Sequence, residues 1–139
     1  RTALTARLPN INVDAVEGRQ ARAVFGDIDK RLTGGTLAPV VVIHVGNNGI
    51  ISADDLRTLL QQLSSRQRVV VLTDRVPRDW QGPNNSVLAK VVQGVKNAVL
   101  IDWYGASASH PEWFYEDGLH LRPPGAAAYA AMVSTAVLR

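Results

Sequence analysis

The chain has 139 residues, enough for one domain with a buried core. Its 46% hydrophobic and 19% charged content excludes a disordered chain, and the absence of cysteine excludes disulfides, thiolate nucleophiles and thiolate metal sites. The net charge of +3 comes from singly scattered basic residues (Arg19, Arg22, Lys30, Arg66, Arg75 and Arg78 among them), which read as solvated and form no stripe for nucleic acid.

No apolar run reaches the length of a membrane span, and no signal-peptide pattern is visible. In chain order, Arg1 to Pro9 reads as the tail of a helix begun earlier, so the chain is expected to be an N-terminally truncated single domain, 1–139. Ile11 to Val16 alternates apolar and polar residues, as a half-buried strand does. Apolar residues at Ala21, Val24, Ile28 and Leu32 predict a helix over 20–32 that stops at Gly34-Gly35. The continuous run from Pro39 to Val45 predicts a buried strand that includes His44, a packing histidine on this reading.

Ser52 followed three residues later by Asp55 predicts a capped helix reaching Leu63. A second buried strand covers 68–73, and a long loop follows from Asp74 to Pro83. Asn84 or Asn85 then caps a helix to about Val95. Ala98 to Asp102 is a third buried strand, Trp103 to His120 a long loop that contains His110, and Pro123-Pro124 opens a last helix. Strands separated by helices of 10–15 residues predict an α/β fold: a flavodoxin-like three-layer α/β/α sandwich around a mostly parallel sheet.

In such sheets ligands bind beyond the carboxyl ends of the strands. Three loops at those ends carry chemistry. Asp117-Gly118-Leu119-His120 sets a carboxylate three residues before an imidazole, the pair that acyl transfer needs to take a proton from a nucleophile and to orient the base. Val45-Gly46-Asn47-Asn48-Gly49 follows the first buried strand, and Glu17-Gly18-Arg19 follows the alternating segment. Asn47 and Asn48 also suit a simple turn, and Gly18 a tight bend. Trp80, Trp103, Trp113, Phe114 and Tyr115 either line a substrate cleft or pack loops onto the sheet. Three scattered histidines have no metal-ligand spacing, and no residue pattern calls for a cofactor.

Gly46-Asn47-Asn48-Gly49 after a buried strand, Gly18 after an earlier one and Asp117-Gly118-Leu119-His120 before the last helix resemble the SGNH (GDSL-like) hydrolase superfamily. The resemblance is nearest to the extracytoplasmic domains fused to membrane acyltransferases that O-acetylate cell-wall or surface polysaccharides, and Val76-Pro77-Arg78-Asp79-Trp80 and Asp102-Trp103-Tyr104 share in it. It implies His120 as general base, Asp117 as its orienting partner, and the Gly18 N–H and Asn48 amide as oxyanion donors. It also implies an acylated carbohydrate or acyl donor as substrate, and attachment to the cell membrane through a preceding membrane acyltransferase domain.

The family's Gly-Asp-Ser block, which carries the nucleophile at the end of the first strand, is absent from this sequence. Ser52, Ser64, Ser65, Ser86, Ser107, Ser109 and Ser134 all stand in other settings, and Gly26-Asp27 lies inside a helical pattern. The first strand, an inner one, is therefore expected to be missing from the chain. Two functions remain: a serine esterase or O-acyltransferase whose serine lies upstream, or an inactive glycan-binding or vestigial domain. A flavodoxin-like signalling or nucleotide module shares the sheet, but no Gly-rich phosphate loop follows any strand.

Overall fold

The computed structural model describes all 139 residues. Three parallel strands, β1 (Val40–Ile43), β2 (Arg68–Leu72) and β3 (Ala98–Ile101), lie in that order, with Val41 opposite Val69 and Val71 opposite Leu100. The central strand shows why such runs carry no polar alternation. Val69 and Val71 enter the core on one face and Val70 and Leu72 that on the other, and all four are fully buried.

Helices α2 (Ala21–Thr33), α3 (Ala53–Gln62) and α4 (Gln81–Gln93) cover the first face, burying Phe25, Leu56, Leu59, Leu60 and Leu88 with Ile43 and Val71. On the second face, α1 (Thr2–Arg7) packs on α6 (Pro123–Leu138) over a core of Val70, Leu72, Ile101, Trp103, Phe114 and Val133. A short α5 (Trp103–Ser107) and a 3₁₀ turn (Pro111–Trp113) complete that layer. The architecture is the expected three-layer α/β/α sandwich. No helix is long and apolar enough to cross a membrane.

Several local expectations differ. Ile11 to Val16 forms no strand: Ile11 and Val13 are half-buried and Asn12 and Asp14 exposed, as alternation requires, but no neighbouring strand supplies a ladder. Arg19 holds this segment instead, through Asp14 at 3.2 Å, the Asp14 carbonyl at 3.0 Å and Asp27 of α2 at 2.9 Å. Arg19 is thus not simply solvated, and neither are Arg66, bonded to the Leu37 carbonyl, and Arg75, bonded to the Ser107 carbonyl.

Helix α4 begins at Gln81, ahead of the asparagines expected to cap it. Pro83 suits the first turn, where an N–H is not needed, and this frees the Asn84 and Asn85 side chains for other bonds. The 103–120 stretch carries α5 and the 3₁₀ turn within what reads as loop. Ser52 does cap α3, accepting from the Asp55 N–H at 3.2 Å.

Candidate active site at the carboxyl ends of the strands

The Asp117–His120 pair sits on a narrow hairpin between the 3₁₀ turn and α6. Phe114 and Leu121 bridge antiparallel, with the Tyr115 N–H donating to the His120 carbonyl at 2.9 Å and the Arg122 N–H to the Trp113 carbonyl at 2.7 Å. Below it Trp103 stacks on Trp113 at 5.7 Å, and Phe114 tilts against Trp103 at 6.1 Å. Gly125, in the first turn of α6, touches the Trp113 backbone so closely that a Cβ there would collide with it. This contact joins the start of α6 to the floor of the hairpin.

Within the loop, Asp117 Oδ1 accepts from the N–H groups of Leu119 and His120, each at 2.9 Å, and Oδ2 bonds His120 Nδ1. The His120 bond and the two backbone donors hold the Asp117 carboxyl down at about 2. The same carboxylate raises the His120 imidazole above its ordinary 6.5, and the Glu17 charge adds to the rise. With Nδ1 engaged by Asp117, neutral His120 leaves Nε2 unprotonated, and its side chain is 75% exposed.

Gly18 has φ +75°, which a residue with a Cβ adopts at a cost. Asn48 is tied to this turn: its side-chain amide donates to the Arg19 carbonyl at 3.2 Å and keeps its second N–H free. Gly18 and Asn48 are thus joined through the Arg19 carbonyl, and the loop after β1 and the hairpin of Asp117 and His120 after β3 both lie beyond the carboxyl ends of parallel strands. Asn47, by contrast, turns a buried Oδ1 inward without a partner.

Sequence reasoning missed what supports them. Asn84 of α4, 1% exposed, donates to the carbonyls of Gly46 at 3.4 Å and Gly49 at 2.8 Å and accepts from the Ile51 N–H at 2.8 Å. Trp80 Nε1 donates to the same Gly46 carbonyl at 2.9 Å, and Asn85 exchanges two bonds with the Asp74 backbone at 2.7 and 2.9 Å. The only signal in the sequence was the pair of amides itself, in a helix first turn that does not need both.

Asp74, at the end of β2, is fully buried and was read only as the start of a loop. Its Oδ1 lies 3.2 Å from His44 Nε2 without hydrogen-bond alignment, leaving both carboxylate oxygens unpartnered. Burial pushes this carboxyl up, and His44 offsets the rise only in part. His44 itself stands one residue beyond β1, half-buried, with Nδ1 at 2.7 Å from the Tyr129 hydroxyl. Tyr129 is raised above the usual phenol range by burial and by the Asp74 charge. His110 stacks on Trp113 at 3.9 Å and bonds Glu112 at 2.9 Å.

No group of three or more His, Asp or Glu side chains is gathered as metal ligands would be. None of the serines contacts His120. Ser107, for one, is buried and donates to the Trp103 carbonyl of its own helix at 2.7 Å.

Comparison with solved structures agrees with this fold. The chain superposes over 99% of its length on 84% of the C-terminal catalytic domain of Streptococcus pneumoniae peptidoglycan O-acetyltransferase A, solved with a methylsulfonyl adduct, with a TM-score of 0.81 at 20% identity. Over 98% of its length it matches 78% of a GDSL-lipase-like protein of Parabacteroides merdae, with a TM-score of 0.69 at 16% identity. No family model matches the sequence. The fold is therefore the one these two proteins share.

In sequence, the chain is similar to one part of the OatA O-acetyltransferases. It is 32% identical over 136 residues to O-acetyltransferase OatA of Staphylococcus aureus, covering 93% of this chain and 21% of that protein. It is also 32% identical over 132 residues to peptidoglycan O-acetyltransferase OatA of Listeria monocytogenes, covering 95% and 21%. The chain thus spans about a fifth of the length of the curated relatives it matches.

Proposed function

We propose that the chain is most of the catalytic domain of an SGNH-type O-acyltransferase that moves an acetyl group to or from a carbohydrate hydroxyl of cell-wall polysaccharide. The observation that carries the reading is the Asp117–His120 pair, with Nδ1 engaged and Nε2 free; Asn48, bonded to the turn that holds Gly18, supports it. Homology to proteins named peptidoglycan O-acetyltransferases supports the substrate class.

A serine outside this sequence attacks the ester carbonyl while His120 Nε2 takes its proton. Asp117 steadies the imidazolium, and the Gly18 N–H and the free Asn48 N–H hold the oxyanion. Collapse expels the alcohol, which receives the proton from His120. An acceptor hydroxyl then attacks the acyl-serine, giving its proton to His120, and the serine leaves reprotonated. The relatives' greater length supports a further domain in the same protein, and by the same reading this domain lies outside the cytoplasm, tethered to the membrane.

The test is acetyl-ester turnover by the full protein and its His120→Ala variant. Loss of about 10³-fold or more in kcat, with the melting temperature retained, is expected. A near-normal rate in the variant overturns the assignment.

A further inference from the structure

Most of the aromatic residues near the rim are spent on packing. Trp103 and Phe114 are buried at 3% and 5% exposure, Trp113 lies between Trp103 and His110, and Trp80 is tied to Gly46. Tyr115 is different. It is 48% exposed and lies directly opposite His120 in the hairpin, bonded to it through the backbone. Opposed residues of an antiparallel pair put their side chains on one face, so Tyr115 and His120 share the exposed face of the hairpin, while Phe114 and Leu121 face the core.

Arg122 completes the arrangement. Its guanidinium lies 4.7 Å from the Tyr115 ring centre and covers one face of the ring. Its Nε is engaged by the Phe114 carbonyl at 3.0 Å, which anchors the guanidinium, and its two outer nitrogens make no bond within the chain. The result is a flat aromatic surface braced on one side, with free donors at its edge, on the face of the hairpin that also carries His120.

We propose that Tyr115, backed by Arg122, is the platform for a sugar ring of the carbohydrate whose hydroxyl exchanges the acetyl group. The C–H face of a pyranose covers a flat ring, and its hydroxyl and N-acetyl oxygens accept from a guanidinium edge. Because the ring is already braced, little rotamer freedom is lost when the sugar docks. This inference rests on the acyl-transfer reading above for its substrate, but not for its geometry.

The test uses the full protein, with chitopentaose as the glycan probe and p-nitrophenyl acetate as the small ester. In calorimetric titration Tyr115→Ala should weaken chitopentaose binding about tenfold, Tyr115→Leu should do likewise with bulk retained, and Tyr115→Trp should restore it. In turnover, the ratio of kcat/KM for chitopentaose as acceptor to that for p-nitrophenyl acetate hydrolysis should fall by a similar factor in the Ala and Leu variants. Glycan affinity indifferent to all three substitutions, or none in the parent protein, overturns the platform even if ester turnover still depends on His120. Binding that follows Tyr115 without any ester turnover overturns the enzymatic reading and leaves the platform standing.

Discussion

Asp117 shows how much of a site one side chain can set. Three donors converge on it, two from the backbone and one from His120, so the same carboxylate shapes the turn and orients the base. Because it raises the His120 pKa, and a base works deprotonated, the acid limb of a kcat/KM profile should lie above 6.5. Asp117→Asn removes the charge, so that limb should move to lower pH while the rate at its plateau falls. A limb that stays in place would show that some other group sets it. Asn48→Ala should lower kcat by about 10²–10³ with little change in KM, the usual cost of a lost oxyanion donor; steady-state kinetics on a small ester reads this directly. The Asp117–His120 bond was legible because acid–base chemistry leaves fixed spacings in sequence. Asn84 and Trp80 were not, because their partners lie more than thirty residues away and are backbone carbonyls, which carry no sequence signature.

Among the elements, the loop after β1 is the most constrained. Gly46 has φ +117°, and a Cβ placed on it would run into the Asp74 carboxylate, with Cγ at 2.8 Å. Gly46→Ala should therefore cost more than about 3 kcal/mol, seen as a lowered denaturation midpoint, since backbone strain and a buried collision add together. Gly125→Ala should also destabilise, and because its collision is with the Trp113 backbone it should shift the NMR signals of His120 as well. Apart from α5 and the 3₁₀ turn, which lie in a stretch that reads as loop, the helices and the three buried strands were readable from periodicity and caps to within a few residues. The failure at Ile11 to Val16 has a definite cause: alternation reports which side chains meet a core, and a strand needs a neighbour in addition. At α4 the asparagines suggested a cap, and the structure uses them to hold two loops instead.

For the molecule as a whole, the polar line Asp74–His44–Tyr129, buried at Asp74 and half-buried at the other two, crosses from β2 past β1 to α6. Its charge balance should be visible in global stability. Asp74 has a folded-state pKa above its ordinary 3.8, so the native state takes up this proton at higher pH than the unfolded chain. Its contribution to stability therefore grows as pH falls from the raised value toward 3.8, and is absent above it. Asp74→Asn should accordingly raise stability at neutral pH by about 1 kcal/mol, or about 3–5 °C in Tm, and flatten this part of the pH dependence. A lowered Tm at neutral pH would mean that His44 holds the carboxylate as an ion pair. None of this was legible in the sequence, because Asp74 reads as the polar end of a strand until the fold closes over it. The sheet has a second whole-molecule consequence. β1 pairs on one side only, with β2. In the proposed full domain the serine-bearing strand takes the other side, so amide exchange at Val40–Ile43 should slow when that segment is joined to the chain.

Asn84 makes the rim a replaceable part. Its three bonds grip the backbone at Gly46, Gly49 and Ile51, while Asn48 and Ile50, the latter 76% exposed, point away from that grip. The shape of the loop is therefore inherited from a helix that takes no part in the chemistry. Selection can exchange what the loop presents to solvent without relearning how to fold it, so the exposed position 50 is open to substitution at little cost to the fold.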